Sequence, residues 1–170
     1  MSKRKGIYIT IDDLLEEINI DVARYFFLVR GPGSHLLFNL DLAKEQSEKN
    51  PVYYIQYAHA RICSILRKIK SRRPKDKNLE LLNHPAELNL IKNLIKLPEV
   101  IEKTAEDYQI QRLPRYAYGL SEAFHRFYRD CRVITEDKKL QETRLALLFS
   151  TKTVLKETLD LMGVSAPEKM

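Results

Sequence analysis

Tyr57, Arg61, Ser64 and Lys68 recur at spacings of four, three and four, which puts them on one face of an α-helix. Tyr53 and Tyr54 flank that face toward its N-terminal end. Such a set could grip a single-stranded RNA nucleotide: a tyrosine ring stacks on the base, Arg reads an edge or stacks, and Lys meets phosphate. A second set, Ser121, His125, Tyr128 and Arg132, keeps the same spacing, with Arg112, Arg115, Arg126 and Arg129 around it. Two such faces could form two walls of one pocket. The alternative, tyrosines that roof a core and keep their hydroxyls in water, stays open on residue types alone.

Other chemistries fit less well. His59 and Cys63 stand four apart on one helix, but a zinc site needs three or four ligands and no second pair has ligand spacing. No metal site is expected. As nucleophile and base the same pair lacks an orienting group. The chain has no phosphate-binding G-x-x-x-x-G-K-[ST] and no G-x-G-x-x-G between strand and helix. The string MSKRKG at residues 1–6 is a lysine-bearing loop that could neutralise charge on a transferring phosphoryl or adenylyl group.

Helices must position these side chains, and the sequence supplies them. The chain has 170 residues, 44% hydrophobic and 31% charged, with five Gly and seven Pro, which suits a packed domain better than a turn-rich sandwich. No run reaches the length of a membrane span, and no long apolar core follows the first charges, so no signal peptide is expected. Two cysteines cannot make a disulfide framework, and a cytoplasmic location is expected. The net charge of +6 is uneven: residues 51–100 carry 10 basic and 4 acidic side chains. Arg67, Lys68, Lys70, Arg72 and Arg73 stand close together there, which suits a polyanion or simply a solvated basic helix end.

The elements read as follows. A short strand over residues 7–10 precedes a helix near 11–18 with a Thr10 cap and an acid three residues on. Asp21 is read as the cap of a second helix, apolar almost all round and therefore buried. Asn50-Pro51 opens a long helix with Ile55, Ala58, Ile62, Ile65, Leu66 and Ile69 inward. His84-Pro85 opens another with Leu88, Ile91, Leu94 and Ile95 on one side. Pro98 restarts a segment to about 106, Leu113-Pro114 opens a helix with Ala117, Leu120, Phe124, Phe127 and Cys131 inward, and a last helix over 138–162 ends at Gly163. The expected fold is mainly α: a bundle of about five helices over residues 50–170, behind a small α/β segment over residues 1–49.

In order, these strings resemble the arginyl-tRNA synthetases of the bacterial type. MSKRKG looks like that family's form of the class I KMSKS loop with its first lysine missing, and DVARYFFLVR looks like the helix after it in the stem-contact region. NPVYYIQYAHARICSILRK resembles the first helix of the DALR-type anticodon-binding domain, and FHRFYRDCRVI and LDLMGVSAPEKM match its last landmarks. The resemblance implies recognition of an arginine tRNA as part of an enzyme that joins arginine to it with ATP. Carried over, Tyr54, Tyr57, Arg61, Tyr128, Arg132 and Met170 hold the anticodon. Arg67, Lys68, Lys70, Arg72 and Arg73 meet the tRNA backbone, and Met1, Ser2 and Lys3 face ATP, with Lys3 as the loop lysine. The four histidines contain no H-x-G-H, so these residues alone are expected to bind no cofactor and to lack aminoacylation activity. ATP with Mg would belong to the whole enzyme, and its catalytic domain would be a partner. The chain is expected to be monomeric and not membrane-bound. The competing expectation is a helical protein-interaction or structural module with a non-specific basic surface.

Overall fold

The computed structural model describes residues 10–31, 33–69 and 78–170. Among the described residues eight α-helices run in chain order: α1 (Ile11–Glu17), α2 (Ile20–Leu28), α3 (Leu40–Lys44), α4 (Pro51–Ile69), α5 (Pro85–Leu94), α6 (Leu97–Asp107), α7 (Arg112–Asp130) and α8 (Lys138–Leu161), with a 3-10 turn at Leu79–Leu81. Helices α4 to α8 are the five-membered bundle anticipated for residues 50–170. No strand occurs among the described residues. Residues 7–9 of the expected strand lie outside them, and Thr10 instead caps α1.

Local chemistry fixes most boundaries. Thr10 Oγ1 accepts from the Asp13 N–H at 3.1 Å, and Asp13 accepts from the Thr10 N–H at 2.7 Å, a reciprocal capping box. Asn50 is buried, accepts from the Val52 N–H at 3.0 Å and donates to the Ala43 and Glu45 carbonyls. It therefore starts α4 and ties α3 to it. His84 Nδ1 accepts from the Ala86 N–H at 3.2 Å, with Pro85 at the first helical position. Gly163, at φ +66, takes the left-handed conformation that closes α8, where a side chain would be strained. Asp21 is not the cap of α2: Asn19 is, accepting from the Asp21 N–H at 2.8 Å. That frees the Asp21 carboxylate to accept from Gln56 Nε2 at 3.0 Å and from the Ser165 hydroxyl.

The core is built by α4, α7 and α8, with α5 packed on α7 and α8. Ile55, Ile62, Leu90, Leu120, Phe124, Phe127, Leu148, Leu155 and Leu159 are fully buried. On the α4 stripe Ile55, Ala58, Ile62 and Leu66 are buried while Ile65 and Ile69 are half-buried against the core, and the α7 stripe is buried throughout. On α5 the inward face differs in part from expectation. Ile91 and Leu94 pack against the core as expected, with Ala86 and Leu90 buried beside them, whereas Leu88 and Ile95 are exposed. The inward face is centred on Ala86, Leu90, Ile91 and Leu94, and the wholly buried Glu87 shares it, paired with Arg144. Helix α2 is also less enclosed than its composition suggests: Ala23 and Tyr25 are buried while Ile20 and Phe27 are about half exposed.

Candidate nucleic-acid interface

The inward stripes of α4 and α7 determine what stands beside them. With Ile55, Ala58 and Ile62 in the core, Tyr54, Tyr57, Arg61, Ser64 and Lys68 lie at the edge of α4 that borders α7. With Leu120, Phe124 and Phe127 in the core, Tyr118, His125 and Tyr128 border α4. Arg61 joins the two helices. Its guanidinium carbon lies 5.4 Å from the Tyr57 ring centroid and 4.7 Å from that of Tyr128, and it donates to the Tyr57 hydroxyl at 2.7 Å. Held over two rings, the planar group gains cation–π attraction and leaves other N–H donors for a ligand.

Aromatic rings continue from this point. His125 lies 4.6 Å from Tyr54 and 6.0 Å from Tyr57, centroid to centroid, and Tyr118 lies 5.1 Å from Tyr54. Tyr53 stacks on Tyr57 at 6.2 Å with 6° between planes. Burial raises the Tyr54 hydroxyl's pKa above its ordinary range, so it remains a neutral donor at physiological pH. Ser121, grouped with this face by its spacing, is instead buried and donates to the Ala117 carbonyl at 2.8 Å. Tyr118 went unnoticed in the sequence, although it stands seven residues, two helical turns, before His125.

Beside Arg61 opens a cleft of about 630 Å³ lined by Ser64, Ile65, Lys68, Tyr128 and the turn from Arg129 to Ile134. Its volume falls among small-ligand sites, roughly 300–1,000 Å³. Arg61, Lys68, Arg129 and Arg132 line it with no carboxylate, although Arg129 pairs with neighbouring Asp130 at 2.8 Å. On the other side of Arg61 a smaller cleft of about 290 Å³ is closed by Glu168, Lys169 and Met170. The tail arrives there because His59 Nδ1 donates to the Pro167 carbonyl at 2.9 Å and Arg67 donates to the Glu168 carbonyl at 3.0 Å. Tyr57, Arg61, Tyr128, Arg132 and Met170 thus border two adjoining clefts, whereas Tyr54 lines neither and packs on His125 behind Tyr57. Lys68 lines the larger cleft, while Arg67 is engaged with the tail. Met1, Ser2, Lys3, Lys70, Arg72 and Arg73 lie outside the described residues.

His59 and Cys63 are core neighbours, with Cys63 Sγ 3.9 Å from the ring. No group of three or more His, Cys, Asp or Glu is placed to hold a metal among the described residues. Burial lowers the pKa values of His59 and His125 below the ordinary 6.5. His59 donates from Nδ1, and His125 Nε2 has no hydrogen-bond partner among the described residues. As pH falls past about 6.5 the unfolded chain takes up these protons first. It then binds more protons than the folded chain, so stability rises with pH across that window and levels off above it. The urea midpoint is expected to drop between pH 7 and pH 5, and less steeply with both histidines replaced by Asn. An unchanged midpoint would contradict the assignment.

Among the described residues, no helix is long and apolar enough to cross a membrane. The DALR anticodon binding domain family matches residues 55–170. An arginine–tRNA ligase of Heliobacterium modesticaldum is 48% identical over all of this chain, which covers 32% of that protein. One of Carboxydothermus hydrogenoformans is 49% identical, with 31% of its length covered. The chain therefore spans about a third of the length of these relatives. The solved structure of the Thermus thermophilus arginyl-tRNA synthetase matches 99% of this chain over 29% of its own, with a TM-score of 0.77 and 26% identity.

Proposed function

This chain belongs to the DALR anticodon-binding family as it occurs in arginine–tRNA ligases, and we propose that it holds the anticodon of an arginine tRNA for such a ligase. The observation that carries the reading is the Arg61 guanidinium between the Tyr57 and Tyr128 rings, bordered by a cationic cleft free of carboxylates. A splayed base can stack on this aromatic and guanidinium face while Arg61 or Arg132 meets its edge and Lys68 its phosphate. Tyr54 supports the stack through His125, and Met170 closes the adjoining cleft. One copy supplies all these residues, which favours a monomer, and a cytoplasmic location follows from the same reading. The domain boundary at residue 50 is supported by the Asn50 cap and by the family match that begins at residue 55.

Activation of arginine with ATP and Mg is assigned to the remainder of the ligase, the partner of this domain. Met1, Ser2 and Lys3 would serve ATP there, a reading that rests on the string MSKRKG alone.

The test is titration of the chain with an arginine tRNA and with a transcript altered at the middle anticodon base, at two salt concentrations. Preference for the native base is expected to survive the higher salt, because edge contacts and stacking are screened less than phosphate contacts. Lys68→Ala should weaken both RNAs alike and reduce the salt slope by about one. Equal binding of both RNAs that collapses with salt would leave only a basic surface.

A further inference from the structure

Between the end of α7 and the start of α8 the chain has no helix to aim its side chains, yet Arg132 and Ile134 line the larger cleft. Cys131 and Val133 are buried, while Arg132 and Ile134 are exposed. The alternation means that a shift of one residue would turn Arg132 inward and Val133 out. Something must hold the register, and side chains of α8 do so. Arg144 Nη1 donates to the Arg132 carbonyl at 2.6 Å. Its Nε donates to Glu87 Oε1 at 2.6 Å, and Glu87 Oε2 accepts from the His84 N–H at 2.9 Å. Gln141 Oε1 accepts from the Thr135 N–H at 3.3 Å.

Resting on the reading above, we infer that Glu87 and Arg144 are positioning residues for nucleotide recognition: the buried pair anchors the Arg132 peptide and thereby aims the Arg132 side chain into the cleft. Stability alone is a poor reason for the pair, because a packed apolar pair of similar volume often serves as well as a buried ion pair. Direction is what an apolar pair lacks. A guanidinium presents several N–H groups in a fixed plane, so one donor meets Glu87 while another meets the Arg132 carbonyl. An ammonium in its place keeps the charge opposite Glu87 without that fixed fork.

The test uses Arg144→Lys, which retains the countercharge, and the double variant Glu87→Gln/Arg144→Met, which leaves no charge buried. Amide hydrogen exchange on the free chain reads the anchor, and titration against the two transcripts above reads its consequence. Both variants are expected to lose protection at residues 132–135 while α4 and the middle of α7 keep theirs. Preference for the native base should fall by about tenfold, with the salt slope unchanged. A purely structural role would lower the melting temperature and weaken both RNAs together, leaving their ratio alone. Retained protection in Arg144→Lys would overturn the inference, as would a parental base ratio in both variants when Arg61→Ala abolishes it. If the parent shows no base preference, the anticodon reading fails, and the exchange data alone decide whether the pair anchors the turn.

Discussion

Replacing Arg61 by alanine is expected to weaken binding of an arginine tRNA by about 1–3 kcal/mol, roughly five- to 150-fold, and to remove most of the preference for the native middle base. The size follows from what the side chain does in two places. Its guanidinium lies over the Tyr57 and Tyr128 rings and donates to the Tyr57 hydroxyl, so its loss removes one of the links between the α4 and α7 walls. It also borders both clefts, so the same truncation removes donors facing either one. Arg61→Lys is a sharper variant. It restores the charge but neither the plane nor the fork, and should recover the salt-dependent part of the affinity with little of the base preference. Because Arg61 is half-buried at the surface and not in the core, both variants should melt within a few degrees of the parent. Binding by Arg61→Ala equal to the parent at both salt concentrations would remove Arg61 from the site.

Legibility in the sequence followed the kind of force at work. The α4 and α7 stripes were readable because apolar residues at helical spacing have one low-energy placement, and polar neighbours follow by rotation about the axis. Tyr57, Arg61 and Tyr128 therefore fall together, whereas Arg132 lies past the end of α7 and is placed by the turn that follows it. The misreadings fall where a polar group goes inside. Glu87 goes inside with Ala86 and Leu90 while Leu88 and Ile95 face water, because a carboxylate paired with Arg144 can occupy a core position that residue type alone assigns to the surface. Ser121 disappears into the core because its hydroxyl bonds back to the Ala117 carbonyl within its own helix. Asp21 looked like a cap because acids favour helix starts, but Asn19, two residues earlier, satisfies that N–H and leaves Asp21 to Gln56 and Ser165. The path of the tail over α4 was not readable either, since contacts such as His59 to Pro167 join residues more than a hundred positions apart.

Glu87→Ala is expected to cost about 3–5 kcal/mol of folding stability, because it strands the Arg144 guanidinium without its countercharge. The magnitude rests on burial. Glu87 is fully enclosed and the Arg144 side chain is 12% exposed, so neither charge recovers much hydration when the other is lost. Lys103 and Glu99 form a pair of similar length with both side chains more than half exposed, and there Glu99→Ala should cost far less, because water screens the pair. Glu87 also accepts from the His84 N–H, so its truncation opens the cap of α5 at the same moment. Adding Arg144→Met to Glu87→Ala should recover part of the loss, since the stranded charge then disappears while the open cap remains. Urea unfolding of the four chains, parent, two single variants and double, closes the cycle. A double variant no more stable than Glu87→Ala would mean that the α5 cap, and not the buried charge, carries the cost.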